Sequence, residues 1–389
     1  MCKESTGRQD HSDTGGSTMA DSSLVFTNNA DVDRHSNNGS SERQFVISSI
    51  QRDSSSAEEN YELDDLSNLR EQFTCKGIST KTANIMLCSW RQGTKKQYKV
   101  FVKRWFQYCG ERKISEIQIS IATVLDFLTS LFENGLGYSS INTARSALSA
   151  LGLMFDNVLV GAHLLVIRFM KGVFNLRPVR MKNVCIWDVS IVLHYLRKLS
   201  PVNTLSLQDL TYKLVMLIAL TNATRSQTIK FLNIDYMEKL KDQYLFHFDV
   251  LLKQTRPGYK NPDVILKAYP IDRRTCVMTV LKEYLKQTHE LRANTRQLFI
   301  SYIKPYKAVS TSTISRWIKV ILHRAGIDIK QFGAHSVRSA STSKAKLNNV
   351  SISDIVDRAG WYNVKTFASF YDKRIVCNNV DVTVLNQNS

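Results

Sequence analysis

The sequence AHSVRSA, residues 334–340, places a histidine and an arginine three positions apart, at His335 and Arg338. In a helix, residues three apart lie on one face, so the imidazole and the guanidinium would project to the same side. An H-x-x-R pattern also arises by chance in many chains of this length. The stretch therefore indicates a functional pair only if other parts of the chain supply matching groups.

Three further stretches carry cations or hydrogen-bond donors where a helix begins or a hairpin turns. Arg225 follows an apolar helix in LTNATRSQTI, and Lys253 ends a predicted strand in LLKQTRPG. Trp361 and Tyr371 lie near the C-terminus in AGWYNVKTFASFYDK. Taken singly, an arginine after a helix is usually a surface residue, and a tryptophan beside glycine usually belongs to a core. Only the combination and order of the four stretches point to a shared site.

The 389-residue chain carries a formal net charge of +18, which is unevenly distributed. Residues 1–80 hold 7 Lys and Arg against 14 Asp and Glu, a net of −7, which leaves +25 for residues 81–389. A folded body this basic indicates a polyanionic partner, most simply a nucleic acid. The alternative that charge alone leaves open is a basic soluble protein without such a partner.

The seven cysteines are scattered and form no CxxC pair, which argues against a disulfide framework and against a zinc site. Free thiols of this kind fit a reducing compartment. The most apolar run, residues 214–220, is far shorter than the roughly 20 residues that cross a bilayer. The sequence therefore predicts a soluble, intracellular protein that does not use a membrane.

Composition divides the chain into five predicted segments. Residues 1–78 are rich in Ser, Asn and Asp and are predicted to be disordered, apart from a short helix near LSNLREQF. Helical periodicity then predicts an all-helical domain over 79–174. A proline and three cations in NLRPVRMKN mark a basic linker at 175–186. A mainly α domain with a small antiparallel sheet follows at 187–376, and a tail occupies 377–389.

Several helices have recognisable ends and faces. Thr94 is the expected N-cap of GTKKQYKVFVKRWFQYC, and Asp188 that of DVSIVLHYLRKL. Gly135 is expected to end SIATVLDFLTSLFENG. The stretch LTYKLVMLIAL is apolar nearly all round, which predicts a buried helix. In contrast, apolar and polar residues alternate in part of YLFHFDVLLK, which predicts strands that turn at RPG.

Several cations are candidates for contact with nucleic-acid phosphates. Lys95, Lys99 and Lys103 recur every four residues beside the apolar stripe of the first long helix. A solvated face is the ordinary interpretation of such a stripe, but three like charges without an acidic partner at i+4 favour phosphate contact. Arg145 is expected to project outward from a later helix. The predicted linker adds Arg177, Arg180 and Lys182.

Taken together, the four stretches resemble the active site of the tyrosine recombinases, the family of Cre, the Xer proteins and phage lambda integrase. The family order is Arg, Lys, His-x-x-Arg, His or Trp, then Tyr. The intervals of 28 residues from Arg225 to Lys253 and of 26 from His335 to Trp361 are similar to those of compact members. The resemblance covers about residues 80–376, and it implies a helical core-binding domain followed by a DNA breaking-rejoining catalytic domain.

Beyond these residues, the chain resembles the recombinases of DIRS- and Ngaro-type eukaryotic retrotransposons. The stretches that carry this resemblance are SALSAL, RFMKGVFNLRP, WDVSIVLHYLR, KLVMLIALTNATRSQT, LLKQTRPG, QLFISY, HSVRSASTS and FYDK. The resemblance implies an element-encoded enzyme that inserts a DNA circle into a chromosome, and so a nuclear location. It also implies a homo-tetramer, assembled from two dimers, on double-stranded DNA.

The implied reaction cuts and rejoins DNA through a 3′-phosphotyrosyl link, without metal, ATP or any other cofactor. Tyr371 is the implied nucleophile. Arg225 and Arg338 are the implied clamps on the non-bridging phosphate oxygens, because guanidinium forks bind phosphate in a bidentate manner. Lys253 would protonate the leaving 5′ oxygen as the general acid.

The resemblance leaves two uses for His335, which could take the tyrosine proton or donate a hydrogen bond to the phosphate. Trp361 would pack against the segment of Tyr371 and offer its indole N–H. Tyr362 is the less suitable nucleophile, since a residue adjacent to Trp361 cannot reach the phosphate that this tryptophan helps to enclose. The alternative for Tyr371 is a packed tyrosine in an inactive relative.

The stretch VKTFASF before Tyr371 predicts a short helix that holds the tyrosine hydroxyl outward. Its expected anchors are Val364, Phe367 and Phe370.

Two other functions remain open at this point. A type IB topoisomerase uses the same chemistry to relax supercoils, although its fold around the site is usually larger. A decayed or domesticated copy would bind DNA without cutting it, which the complete residue set argues against.

Overall fold

The structure is a computed structural model that describes residues 67–75, 77–114, 119–178, 185–253, 255–259 and 261–376. The predicted disordered segment before residue 67 and the predicted tail after residue 376 lie outside these ranges. The chain divides into two compact units. The first takes the described residues up to Ile114 together with Ser146–Leu153, and the second takes the described residues of 115–145 and from Met154 onward. The domain boundaries expected from the sequence stay predictions.

Three helices open the first unit: α1 (Ser67–Cys75), α2 (Thr80–Leu87) and α3 (Gln92–Glu111). Helix α1 confirms the short helix predicted near LSNLREQF. The predicted cap of α3 at Thr94 is wrong, because the carbonyl of Arg91 already accepts the N–H groups of Thr94 and Lys95 at 2.8 and 2.9 Å. The predicted apolar stripe of α3 is buried, namely Tyr98, Phe101, Val102, Trp105 and Cys109.

The second unit begins with α4 (Ile121–Glu133), which has reciprocal side-chain to backbone bonds between Ser120 and Thr123 at its start. Its predicted end is confirmed, since Asn134 follows the last helical residue and Gly135 then adopts a left-handed φ of 84°. The next elements are α5 (Tyr138–Ala150), the antiparallel strands β1 (Met154–Phe155) and β2 (Val158–Leu159), and α6 (Leu164–Leu176). Helix α5 is divided between the units, because its residues from Ser146 onward belong to the first unit. The short β1–β2 hairpin shows that residues 79–174 are not entirely helical. Asn157 makes the hairpin turn possible with a φ of 60°, a conformation that asparagine tolerates.

The remaining helices are α7 (Val189–Lys198), α8 (Leu207–Asn222), α9 (Ser226–Lys230), α10 (Val277–Thr288), α11 (Thr311–Arg324), α12 (Ser336–Leu347), α13 (Ile352–Ala359) and α14 (Val364–Phe370). Asp188 caps α7 as predicted, because its side chain accepts the N–H of Ser190 at 3.0 Å. Helix α8 is buried on all sides, which confirms the apolar pattern of its sequence. It packs against α10, α11 and α12 and forms the centre of the main core. Each Leu, Ile or Val that this core buries contributes about 1.5–3 kcal/mol.

A small antiparallel sheet is formed by β4 (Met237–Lys239), β5 (Gln243–Phe246) and β6 (Val264–Lys267). The predicted strand in YLFHFDVLLK is shorter than expected, because pairing stops at Phe246 and the chain leaves as a loop until β6. A parallel pair of three-residue strands, β3 (Cys185–Trp187) and β7 (Arg374–Val376), had no clear pattern in the sequence. The described residues are thus mainly α with small sheets, as predicted, and none of their helices has the length and apolarity to cross a membrane.

Candidate active site

Arg225 is placed by a sharp reversal of the chain at the end of α8. Ala223 adopts the left-handed conformation, with φ 46° and ψ 36°, which costs a residue with a side chain about 1 kcal/mol or more. Arg225 then precedes α9 and forms a hydrogen bond with Tyr371. Burial lowers the pKa of the Arg225 guanidinium, and the proximity of Tyr371 partly opposes that shift.

Arg338 lies within α12 and is only 2% exposed. Its Nη1 donates to the carbonyl of Ala223 at 2.7 Å, and its Nη2 donates to the carbonyl of Ala359 at 2.5 Å. Among the described residues its Nε has no hydrogen-bond partner. Burial, reinforced by the charge of Arg225, lowers the pKa of Arg338 to about 9, so the group is still a cation at neutral pH.

Trp361 follows Gly360, which ends α13 in the left-handed conformation with φ 65°. The indole is buried, its ring centroid lies 4.4 Å from that of Tyr371, and the Arg338 guanidinium carbon lies 4.4 Å from it. Trp361 therefore separates a buried cation from solvent and supports the tyrosine ring from one side. Its indole N–H is buried and has no acceptor in the described parts of the chain.

Tyr371 ends α14, and its hydroxyl lies 2.9 Å from Nε2 of His335. The expectation that α14 holds this hydroxyl outward is wrong, because Tyr371 is only 9% exposed and faces the histidine. Two of the expected anchors, Val364 and Phe370, are exposed instead. Phe367 alone anchors the helix, with its ring centroid 5.6 Å from that of Trp361.

His335 and Tyr371 are held by a common strand. The indole Nε1 of Trp187, on β3, donates to the hydroxyl of Ser336 at 2.9 Å, at the start of α12. The same strand pairs with β7, which begins three residues after Tyr371. Strand β3 thus holds both partners of the His335–Tyr371 contact. It holds the start of α12 through the Trp187 hydrogen bond, and the segment after Tyr371 through its pairing with β7.

Four cations act on the imidazole of His335. Desolvation and the charges of Arg338, Arg225, Lys253 and Lys373 lower its pKa to about 4. The imidazole is therefore neutral at pH 7. With its proton on Nδ1, the Nε2 atom can accept the proton of the Tyr371 hydroxyl.

The lowered pKa of His335 predicts the pH at which its imidazole titrates and the way in which protein stability depends on pH. In the free protein, the His335 ring should titrate near pH 4 rather than near 6.5, as followed by NMR of the labelled imidazole. The unfolded state then binds the proton first as pH falls, so the contribution of His335 to stability is full above about pH 6.5 and is lost toward pH 4. His335→Gln should remove that part of the pH dependence. A midpoint at or above 6.5 would contradict the electrostatics described here.

Lys253 lies in an exposed turn of the loop between β5 and β6. It is close enough to lower the pKa of His335. The structure thus brings all six predicted residues into one region of the second unit. Their catalytic roles stay predictions.

Two residues that the sequence did not single out also support the site. The hydroxyl of Ser343 donates to the carbonyl of Tyr371 at 2.9 Å and accepts the N–H of Lys373 at 3.1 Å. Lys373 adds a fourth positive charge near His335. Ser343 lies eight residues after His335, two turns along the same helix, and no sequence pattern distinguishes it from its neighbours.

Tyr362, the other tyrosine of the C-terminal stretch, has its ring at the surface. It is 73% exposed, and the guanidinium carbon of Arg256 lies 3.5 Å from its ring centroid. The preference for Tyr371 over Tyr362 therefore agrees with the geometry.

The predicted phosphate-binding cations occupy several parts of the chain. On α3, Lys95 and Lys99 are partly buried and Lys103 is exposed, while Arg145 on α5 is partly buried. Arg177 has a structural use, because its Nη1 donates to the carbonyls of Phe132 and Leu136 at 3.2 and 2.7 Å. Arg180 and Lys182 lie outside the described residues. Contact of any of these side chains with DNA stays a prediction.

No protein-family model and no curated protein matches the chain. Solved structures do resemble it, including the XerH site-specific recombinase bound to difH substrate in a pre-cleavage complex. That structure is 14% identical with a TM-score of 0.53, over 76% of this chain and 80% of the other. The Tn1549 transposon integrase with transposon right end DNA is 10% identical with a TM-score of 0.51, over 83% and 98%.

The chain has the tyrosine recombinase fold. In a second XerH structure, a post-cleavage complex, the TM-score is again 0.53, over 75% of this chain at 16% identity. The low identity limits the comparison to the fold, so any activity has to be argued from the site itself.

Proposed function

We propose that the chain is a DNA strand transferase that cuts and rejoins DNA through a phosphotyrosyl intermediate. One observation carries this proposal. The Tyr371 hydroxyl lies 2.9 Å from Nε2 of a neutral histidine and beside two buried or partly buried arginines. A phenol with an adjacent proton acceptor is an activated nucleophile, and paired guanidinium groups suit the charge of a phosphate in the transition state.

In the proposed step, the Tyr371 oxygen attacks a backbone phosphorus while His335 takes the phenolic proton. A bond from phosphorus to the tyrosine oxygen forms, and the bond from phosphorus to the 5′ oxygen breaks. Lys253 gives its proton to that leaving oxygen, which becomes a 5′ hydroxyl. A 5′ hydroxyl from the same or another strand then reverses the step, so no ATP is consumed.

Arg338 keeps part of its hydrogen-bonding capacity available for the phosphate. Arg338 uses two of its five N–H groups on backbone carbonyls, and its Nε is unpartnered among the described residues. Its remaining N–H groups, with those of Arg225, would bind the non-bridging oxygens. The phosphate charge would also offset the mutual repulsion of Arg225 and Arg338 that helps to lower the pKa of Arg338.

The proposed biological role is integration of a mobile element. The resemblance to DIRS- and Ngaro-type recombinases supports an element-encoded enzyme that acts in the nucleus on double-stranded DNA as a homo-tetramer. The basic charge of residues 81–389 supports a DNA partner. The similarly folded XerH and Tn1549 proteins were solved with DNA, which supports the same partner.

The proposal is tested by trapping the covalent intermediate. The protein is incubated with a duplex from the ends of its parent element, nicked so that the cleaved fragment diffuses away, in excess EDTA. Denaturing gels should show a protein–DNA adduct, and mass spectrometry of the digested adduct should place the nucleotide on Tyr371. Relaxation of an unrelated supercoiled plasmid without strand exchange would indicate a topoisomerase. Salt-sensitive binding of the duplex with no adduct would indicate a decayed DNA-binding protein.

A further inference from the structure

The loop that carries Lys253 spans the residues between β5 and β6. At its base, Nδ1 of His247 lies 3.0 Å from the Asp263 carboxylate. Near Lys253, Leu252 is buried, and its N–H donates to the hydroxyl of Thr255 at 2.9 Å. These contacts hold the backbone on either side of Lys253, but the lysine side chain itself is exposed.

The tip of this loop is a tight turn of sequence RPGY, residues 256–259. Pro257 suits the second position of such a turn, and Gly258 adopts the positive φ of 73° that its third position requires. The N–H of Tyr259 donates to the carbonyl of Arg256 at 3.1 Å and closes the turn. The turn therefore presents Arg256 in a defined direction, three residues after Lys253.

Arg256 contacts the segment that follows α13. Its guanidinium carbon lies 3.5 Å from the ring centroid of Tyr362, a distance typical of a cation stacked on an aromatic face. Tyr362 directly follows Trp361, whose ring packs on Tyr371. The contact thus connects the Lys253 loop to the segment that supports the candidate nucleophile.

We propose that Arg256 and Tyr362 are positioning residues that hold Lys253 at the leaving oxygen. This inference rests on the proposed function, because it assigns Lys253 the role of general acid. A general acid must lie within hydrogen-bond reach of the atom that it protonates, and an exposed lysine on a loop needs an external contact to stay there. The Arg256–Tyr362 stack supplies such a contact three residues after Lys253. The exposure of Tyr362 is consistent with this use, since a core role would bury its ring.

The test uses a leaving group that needs no proton. In a 5′-bridging phosphorothiolate duplex, sulfur replaces the leaving 5′ oxygen, and a thiolate departs without general-acid assistance. Single-turnover cleavage of the oxygen and sulfur duplexes is compared, at saturating protein, for the parent and for Tyr362→Ala, Arg256→Ala, Tyr362→Phe and Lys253→Ala. Saturation removes any effect of Arg256 on DNA affinity.

Lys253→Ala should slow oxygen cleavage by about 10²–10⁴-fold and leave sulfur cleavage close to that of the parent. Tyr362→Ala and Arg256→Ala should slow oxygen cleavage by roughly tenfold or more, also with sulfur cleavage preserved. A variant that combines Arg256→Ala with Tyr362→Ala should be no slower than the slower of the two single variants, because both changes remove the same contact. Tyr362→Phe keeps the ring face and should behave as the parent.

Several outcomes would overturn this inference alone. One is an equal loss of cleavage rate on both duplexes for Tyr362→Ala, and another is no loss of rate on either duplex for that variant. A third is a Tyr362→Phe variant that cleaves as slowly as Tyr362→Ala. In contrast, failure of the parent to cleave either duplex would overturn the proposed function, and the inference with it. Equal losses on both duplexes for Lys253→Ala would overturn the general-acid assignment on which the inference depends.

Discussion

Tyr371→Phe is expected to abolish covalent attachment to DNA, with a loss of at least about 10⁴-fold in adduct formation. The substitution removes one oxygen and leaves the ring, whose packing on Trp361 does not depend on the hydroxyl. Among the described residues, the Tyr371 hydroxyl is the oxygen that lies within hydrogen-bond distance of His335 Nε2, at 2.9 Å. The measurement is single-turnover adduct formation with the nicked duplex, followed on denaturing gels.

A matched control is available in the same stretch. Tyr362→Phe removes a phenolic hydroxyl from an exposed ring and should form adduct at the parental rate. DNA binding by Tyr371→Phe, measured at several salt concentrations, should be retained, since the proposed phosphate contacts are made by cations and not by the phenol. Adduct from Tyr371→Phe, or loss of adduct from Tyr362→Phe alone, would show that Tyr371 is not the nucleophile.

Helix ends and buried faces were the features most directly readable from the sequence. The Asp188 cap and the glycine end of α4 depend on the preferences of single residue types for helix ends. The burial of α8 on all sides follows from the apolar residues that cover its whole circumference. The same rules failed at Thr94, where a good capping residue lies inside the helix. A favourable N-cap side chain contributes only about 1 kcal/mol, and the hydrogen bonds to the Arg91 carbonyl show that the helix starts earlier.

The membership of the candidate site was readable from the order of residue types, but its geometry was not. The amphipathic pattern of VKTFASF suggested an outward tyrosine, whereas the structure turns Tyr371 inward onto His335. That direction depends on the pairing of β7 with β3, which lies nearly 190 residues earlier in the chain. Two strands of three residues carry too little alternation to reveal such a long-range pairing.

The burial of Arg338 had no sequence signature either. Its environment is created by the left-handed turn at Ala223, the end of α13 at Ala359 and the ring of Trp361. These come from two stretches of the chain that lie more than 130 residues apart, one at Ala223 and the other at residues 359–361. A pattern of three residues such as H-x-x-R identifies the cation but does not report which backbone carbonyls receive its N–H groups.

Arg338→Ala should therefore affect stability and catalysis together. It leaves the carbonyls of Ala223 and Ala359 without their donor, and hydrogen bonds from charged groups are worth about 1.5–3 kcal/mol each. The variant also removes a buried cation that Arg225 repels, which offsets part of that loss. A net decrease of about 2 kcal/mol in the free energy of unfolding is expected, measured by urea denaturation. Cleavage should fall on the order of 10³-fold, since an oxyanion-stabilising group is lost.

Arg338→Lys separates the two effects. A lysine keeps the charge, but a single ammonium cannot reproduce a planar fork that reaches two carbonyls and a phosphate. We expect stability between those of the parent and Arg338→Ala, with cleavage still reduced by about 10²-fold or more. The phosphorothiolate duplex should rescue neither variant, because the contacts proposed for Arg338 are with the non-bridging oxygens and not with the leaving group. Sulfur rescue of either variant, or near-parental cleavage by Arg338→Ala, would remove Arg338 from the proposed phosphate clamp and leave it only its bonds to the two carbonyls.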